Sequence, residues 1–366
     1  MDNKMQYLTK GEQVNMKLRL LYEQFGYKKY RMNKFEEYSF YINNKNFLES
    51  DRIITFTDLD GKLIALKPDV TLSIAKNTKA TATQNERLYY NENVFRVSGM
   101  EFKELNQTGV EFIGHIDLYN TLEVVNLALS SLAIIDDNYI LSISHMGFIS
   151  SIFDEMNLSY SAKRKIADCL KQKRAHDIDS IASKYGISEE NVSRLKNLVA
   201  ISGELSSSIA KAEEIAVTDA EKDAVSELKA ISKCFENTNF ANKIRLDFST
   251  VSNTDYYNGI MFEGYIEGVA RSVITGGRYD YLIQKMGKSD LEAMGFAVNF
   301  YTLDRFFKPA DKNEKPVLVL FDDNTDNIAL FCKVKRLEAS GKKVLVEKDK
   351  PENIDYDEII DMKGGF

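Results

Sequence analysis

The chain has 366 residues, 44% hydrophobic, 11% aromatic and 28% charged, a globular composition that excludes dominant disorder, collagen-like repeats or low complexity. At about 150 residues per domain, this length predicts two or three domains. Its 48 basic and 55 acidic side chains leave a net charge of −7, so no overall positive field exists to hold a polyanion.

Residues 9–26 open with Thr9 and Glu12 at capping-box spacing, and Val14, Leu18, Leu21, Tyr22 and Phe25 follow at helical spacing up to Gly26, which predicts an amphipathic helix. Residues 53–57 and 63–67 are short runs rich in Ile, Phe and Leu around Asp58-Leu59-Asp60-Gly61, a β-hairpin pattern. Strand-like runs at 94–98 and 110–119 bracket a polar connection, a helical pattern covers 121–133, and another strand is expected at 139–145. Strands in succession, rather than strict βαβ alternation, indicate an α+β fold.

From 147 to 240 Ala, Lys, Glu, Leu and Ser dominate, with helix starts at Ser188 and at Thr218 with Glu221, so this stretch reads as an all-helical insertion. Strand sequence resumes at 244–248 and 260–266. Pro309 and Pro316 flank a polar linker at 310–315. A strand at 317–321, a helix from Asp326 to Ala339 stopped by Gly341, and a strand at 344–347 make a small β-α-β unit. The expected division is 1–146, first part of the core; 147–240, insertion; 241–308, second part of the core; and 309–366, linker and small unit.

Cys169, Cys234 and Cys332 are far apart and form no C-x-x-C pair, so neither a disulfide framework nor a zinc site is indicated, and a cytoplasmic location is expected. Residues 1–13 are polar, and no run of about 18 uninterrupted apolar residues occurs, so neither export nor a membrane span is expected. His115, His145 and His176 share no ligand spacing. No metal, cofactor or catalytic residue is assigned. The basic cluster between Lys163 and Arg174 reads as a solvated helix face or a contact for a partner or RNA.

On an extended chain Gln107, Gly109 and Glu111 share one face, leaving a side-chain-free notch between two polar groups as a floor for a small polar ligand. Arg96 would face the same cavity and suits phosphate or carboxylate; the structural alternative is a salt bridge within a polar sheet face. Asp69 and Thr71 follow Pro68, which stops a strand, and Asp69 equally reads as a helix cap. Tyr256 and Tyr257 sit before the strand at 260–266, and adjacent residues of an extended chain point to opposite sides, so at most one is expected in a pocket. Gly276-Gly277-Arg278-Tyr279-Asp280 would allow close backbone approach to a ligand, or simply a turn.

Taken in this order, these motifs resemble the class II aminoacyl-tRNA synthetase core, in its histidyl-tRNA synthetase branch, over nearly the whole chain. Phe25-Gly26-Tyr27 onward resembles motif 1, and residues 66–71 resemble that branch's L-R-P-E-x-T. Residues 94–96 with 106–114 resemble motif 2. Asp255-Tyr256-Tyr257 and 276–280 resemble the histidine-binding D-Y-Y and G-G-R-Y-D segments, and Gly295-Phe296-Ala297 resembles the start of motif 3. The resemblance implies an antiparallel sheet flanked by helices. It also implies a histidine-like pocket in which Asp69, Thr71, Gln107 and Glu111 meet the ligand's ammonium and nearby groups. Tyr256 or Tyr257 would line the imidazole end, and Arg96 would match the arginine that holds the ATP α-phosphate.

The departures point away from catalysis. Ser252 stands where the synthetase has the arginine of R-G-L, and Thr302 stands where motif 3 has its nucleotide-binding arginine; Arg305 would lie on another helix face. Losing one preorganised donor typically costs ~2.7–4 kcal/mol of transition-state stabilisation. The motif 1 proline is replaced near Asn33, and Asp69 is one methylene shorter than the family's glutamate. The C-terminal unit, about half an anticodon-binding domain and acidic at its end, gives no expectation of tRNA binding.

Together these features resemble the regulatory subunits of ATP phosphoribosyltransferase, a family paralogous to histidyl-tRNA synthetase. That resemblance implies a partner, the short catalytic subunit of the first step of histidine biosynthesis, a homodimer within a larger hetero-oligomer, and a part in feedback by histidine. The competing reading is a divergent histidyl-tRNA synthetase or another amino-acid-adenylating ligase, kept open by Arg96. A third is a synthetase-like domain with an unrelated binding role.

Overall fold

The structure, a computed structural model, describes residues 8–48, 52–251, 256–303, 305–307 and 315–364. Two compact units emerge, one spanning Gly11–Phe307 and a smaller one holding the residues from 315 onward. Ser252 and nearly all of the linker at 310–315 lie outside the described residues.

Helix α1 (Lys10–Gln24) buries Val14, Leu18 and Tyr22, one residue per turn, and the chain leaves it through Gly26 at φ 80°. Phe25 falls past the helix end and stays exposed. Strand β1 (Lys28–Lys29) precedes β2 (Phe35–Glu37), which runs into α2 (Tyr38–Asn43). The expected hairpin is β3 (Thr55–Thr57) with β4 (Leu63–Leu66), where Asp58 Oδ1 accepts from the N–H groups of Asp60 and Lys62 at 3.0 and 2.8 Å and Gly61 takes φ 83°. With β2 they form a three-stranded antiparallel sheet, followed by α3 (Thr71–Asn77).

The two strands expected at 94–98 and 110–119 are one long ribbon, β5 (Glu86–Ser98) and β6 (Glu101–Gly114), joined at Gly99-Met100. The polar connection between those runs is paired strand. The second strand stops at Gly114, because Asp117 Oδ1 accepts from the Asn120 N–H at 2.9 Å and caps α4 (Leu118–Ile135). This helix is long and apolar enough to span a membrane by length and composition alone, but most of it is packed inside the protein.

Strand β7 (Tyr139–His145) leads into α5 (Met146–Glu155), whose cap is His145: Nδ1 accepts from Phe148 N–H at 3.2 Å while Nε2 faces Glu227 at 2.9 Å. Helices α6 (Tyr160–Lys171), α7 (Ile178–Tyr185) and α8 (Glu189–Ala200) follow. The stretch expected to be all helix then holds a short strand, β8 (Ser202–Glu204), before α9 (Leu205–Ile215) and α10 (Asp219–Phe235). β8 pairs antiparallel with β9 (Ile244–Asp247), and its Ser-Gly-Glu sequence carries no apolar alternation to announce a strand. Arg194 of α8 ties the helices together, donating to Glu155 at 2.6 Å, to Glu221 and to the Ile215 carbonyl.

The core closes with β10 (Ile260–Ile266), β11 (Ile274–Arg278), α11 (Asp280–Lys285), β12 (Glu292–Asn299) and α12 (Phe300–Leu303). The main sheet has nine strands in the order β1-β5-β6-β12-β11-β10-β7-β9-β8, antiparallel except for the β1–β5 and β7–β9 pairs. Helix α4 covers one face, with Leu132 seated where a Cβ on Gly264 would collide. The other face carries the cavities described below.

The smaller unit comprises β13 (Val317–Leu320), α13 (Asn327–Ala339), β14 (Val344–Glu347) and a third strand, β15 (Glu358–Asp361), which the β-α-β expectation omits. All three strands are parallel, in the order β14-β13-β15. Glu358 and Asp361 bracket only two apolar residues, too short a run to signal a strand by itself.

Candidate functional site

A cavity of about 530 Å³ opens on the face of the main sheet opposite α4. Its floor follows from register: Gln107 lies opposite Asn299, and Glu111 opposite Gly295. Across the next ladders Ala297 faces Thr275. Residues of one parity on β6 therefore line it, as alternation requires.

At the inner end Glu111 is 1% exposed. It accepts hydrogen bonds from Thr71 Oγ1 at 2.7 Å and from the hydroxyl of Tyr279. Burial pushes its carboxyl up to about 8; the Tyr279 and Thr71 hydrogen bonds oppose this, and the nearby Asp69 charge adds to it. Gly295 is required here, because a Cβ at that position would collide with the Glu111 carboxylate.

Asp69 sits one residue before the N-cap of α3, Val70. Its Oδ1 accepts from the Leu72 N–H at 2.7 Å, holding the first turn of α3, and the residue also lines the cavity. Gln107 is buried on the floor. Both Tyr256 and Tyr257 line the cavity, against the expectation of at most one, with ring centroids 4.6 Å apart. They lie in a turn before β10 rather than in an extended strand, so alternation does not separate them. Tyr256 also packs near Phe47 and Tyr279, at 6.0 and 5.9 Å.

Gly109 is not an open notch. Tyr90 lies opposite it, and the Tyr90 ring and the Phe296 carbonyl fill the space a side chain would need. The glycine seats a core tyrosine, not a ligand.

Arg96 stands at the outer end, its Nε donating to the Pro68 carbonyl at 3.3 Å. Lys103 and Arg271 line the same end, with Lys103 Nζ 3.3 Å from the Tyr301 hydroxyl. Thr302 also lines the cavity, but its hydroxyl donates to the Asn299 carbonyl at 2.8 Å. Arg305 is exposed beyond the end of α12, so it is on no face of that helix.

Sequence reasoning missed Lys103 and Arg271, and it named Tyr279 only as part of the G-G-R-Y-D segment, with no role of its own. Lys103 has the parity of Gln107 and Glu111, so alternation carried a signal for it; Arg271 lies outside the strands, and Tyr279 just past the end of β11, where alternation is silent. His115 and His176 are exposed, at 79% for each side chain. Among the described residues no cluster of three or more His, Cys, Asp or Glu is placed to hold a metal ion. Much of the basic cluster is paired: Lys163 with Asp154, Lys173 with Asp247, Arg174 with Asp177.

Comparison with known proteins identifies the family. The histidyl-tRNA synthetase family model matches residues 4–303. An ATP phosphoribosyltransferase regulatory subunit of Caldanaerobacter subterraneus subsp. tengcongensis is 30% identical over 364 residues, 95% of this chain and 94% of that protein. Among solved structures, an ATP phosphoribosyltransferase regulatory subunit/histidyl-tRNA synthetase from Bacillus halodurans C shares the fold with a TM-score of 0.84 at 21% identity, covering 97% of this chain and 94% of that one. An ATP phosphoribosyl transferase (HisG:HisZ) complex from Thermotoga maritima matches with a TM-score of 0.63 at 16% identity, covering 79% and 97%. The family model over most of the chain and the 30% identical relative show that this α+β chain, built on one mostly antiparallel sheet, belongs to the histidyl-tRNA synthetase family and, within it, with the ATP phosphoribosyltransferase regulatory subunits.

Proposed function

We propose that this chain binds a short-form ATP phosphoribosyltransferase catalytic subunit and activates it in the first step of histidine biosynthesis, without catalysing a reaction itself, and that its cavity takes part in feedback by histidine. The observation that carries this reading is the asymmetry of the cavity. The inner end keeps Asp69, Thr71, Gln107 and Glu111, groups suited to an ammonium and its neighbours. At the outer end Thr302 stands in the motif 3 arginine's position with its hydroxyl turned to a backbone carbonyl. A pocket that is suited to an amino acid but lacks the motif 3 arginine for phosphate charge in a transition state suits a sensor. The family's complex with a catalytic subunit, as in the Thermotoga maritima structure, supports the choice of partner. A hetero-oligomer built around a homodimer of this chain, acting in the cytoplasm, completes the proposal.

The test is co-purification with a short-form catalytic subunit, followed by turnover with and without this chain and with added histidine. Turnover that rises with the chain and falls with histidine is expected; turnover indifferent to the chain overturns the reading.

A second reading, an adenylating enzyme, is favoured by the three cations Arg96, Lys103 and Arg271 at the outer end. It requires histidine-dependent ATP–pyrophosphate exchange at roughly 1 s⁻¹ or faster, a rate typical of enzymes. No exchange is expected.

A further inference from the structure

A second cavity of about 520 Å³ lies on the same face of the main sheet, beyond β10. Thr275 of the first cavity lies opposite Glu263, Glu263 opposite Ser142, and Ser142 beside Arg245, so one row of side chains runs from the first cavity across the floor of the second. Lys171, Lys173, Ser202 and residues 249–251 form its walls.

The carboxylates around this floor are already engaged. Asp247 accepts from Lys173 Nζ at 2.7 Å, Ser202 Oγ at 2.9 Å and the Ser249 N–H at 2.8 Å. Glu263 accepts the Tyr265 hydroxyl. Glu204, directly opposite Arg245, caps α9 instead, accepting from the N–H groups of Ser207 and Ser206 at 2.8 and 3.0 Å. Arg245 is half-buried and donates to the Ile244 carbonyl at 3.1 Å. Neither it nor Lys171 has a carboxylate partner among the described residues. Beside Arg245, Ser142 and Thr250 are 8% and 7% exposed, and their hydroxyls hydrogen-bond each other at 3.0 Å, leaving further hydrogen-bonding capacity on both.

The geometry points to a binding site for a small phosphate ester in this second cavity, with Arg245 and Lys171 on the phosphate and Ser142, Thr250 and Tyr265 on hydroxyl groups of the ester. A half-buried guanidinium whose cross-strand carboxylate is spent on a helix cap gains most from an incoming anion. Its fork matches phosphate oxygens, and the ammonium adds a point charge. The hydroxyl-lined floor selects a polar, hydroxylated ligand over an apolar one. The chain's net charge of −7 disfavours a nucleic-acid strand.

The test is calorimetric titration of the full chain with glycerol 3-phosphate and with inorganic phosphate, in the parent and in Arg245→Gln, Lys171→Gln, Ser142→Ala and Arg96→Gln. Arg96→Gln distinguishes this site from the first cavity. Saturable binding of the ester is expected, weakened about 10- to 100-fold by Arg245→Gln. Lys171→Gln should weaken both ligands, Ser142→Ala the ester alone, and Arg96→Gln neither. Lys171 is exposed, so its variant tests the site even if Arg245→Gln fails to fold. Absence of saturable binding, binding unchanged by Lys171→Gln, or binding lost with Arg96→Gln overturns the proposal.

Discussion

Glu111 concentrates the chemistry of the first cavity. Its carboxyl, held near 8 by burial, is mostly protonated at neutral pH, whereas a bound ammonium needs the carboxylate. Histidine affinity should therefore rise as pH approaches 8, by up to about tenfold per unit, and binding at pH 7 should release a proton. Calorimetry in two buffers of different ionisation enthalpy measures that proton. Glu111→Gln should weaken binding by ~2–5 kcal/mol and abolish the pH slope, whereas Gln107→Ala should weaken binding and keep it. If both variants bind like the parent, the cavity does not sense histidine. The same shift bears on folding. The unfolded chain releases this proton near the ordinary 4.5 and the folded chain holds it to about 8, so this contribution favours the fold below pH 4.5 and is lost as pH rises through 8. Urea melts should show Glu111→Gln gaining on the parent between pH 5 and 8, by on the order of 1–4 kcal/mol. Gln107 and Glu111 were legible in the sequence from strand alternation alone. Asp69 was read as a cap or a ligand contact, and the structure shows it holding the first turn of α3 and lining the cavity wall. The Gly109 notch was misread because the residue opposite, Tyr90, depends on a register that no local pattern records.

At the level of elements, strong local chemistry was readable and weak or borrowed chemistry was not. The capping box of Thr218 and Glu221 starts α10 where spacing placed it, and β7 and β10 have their expected bounds. The β5–β6 ribbon is longer than its apolar runs because Asn91, Asn93 and Asn106 hydrogen-bond across it, so polar residues sustain strand where hydropathy suggested a loop. β8 forms only because β9 offers it an edge. The helical cluster depends on Arg194 in the same non-local way. Glu221 is fully buried, and Arg194 is the cation that neutralises it while joining α8 to α5 and α10. Arg194→Ala should cost about 3–5 kcal/mol, because it leaves a buried carboxylate without its partner. Glu221→Gln on the Arg194→Ala background should recover part of that loss. Thermal melts of the single and double variants measure both effects, and an Arg194→Ala protein as stable as the parent would show that the network is not what holds the helices.

For the whole molecule, the Gly11–Phe307 unit leaves apolar side chains exposed on α1 and on the three-stranded sheet. Leu20, Phe35, Phe56 and Leu63 are each more than 40% exposed, and Phe35 and Phe56 meet edge to face at 5.6 Å. Asn33, where the resembled motif has proline, accepts from the Phe35 N–H at 3.3 Å, a side-chain turn that fixes the entry to β2 without a ring. The proline's loss therefore leaves the strand in place. An exposed aromatic pair suits a self-complementary two-fold contact, because each copy then buries the other's apolar area at about 25 cal/mol per Å². Light scattering at micromolar concentration should give a dimer for the parent chain, with Phe35→Asp and Phe56→Lys shifting it toward monomer. Both positions are solvent-exposed in the single chain, so their substitution should leave the thermal midpoint of a monomer little changed. A parent chain that is monomeric under these conditions would mean that this surface is covered by something other than a second copy.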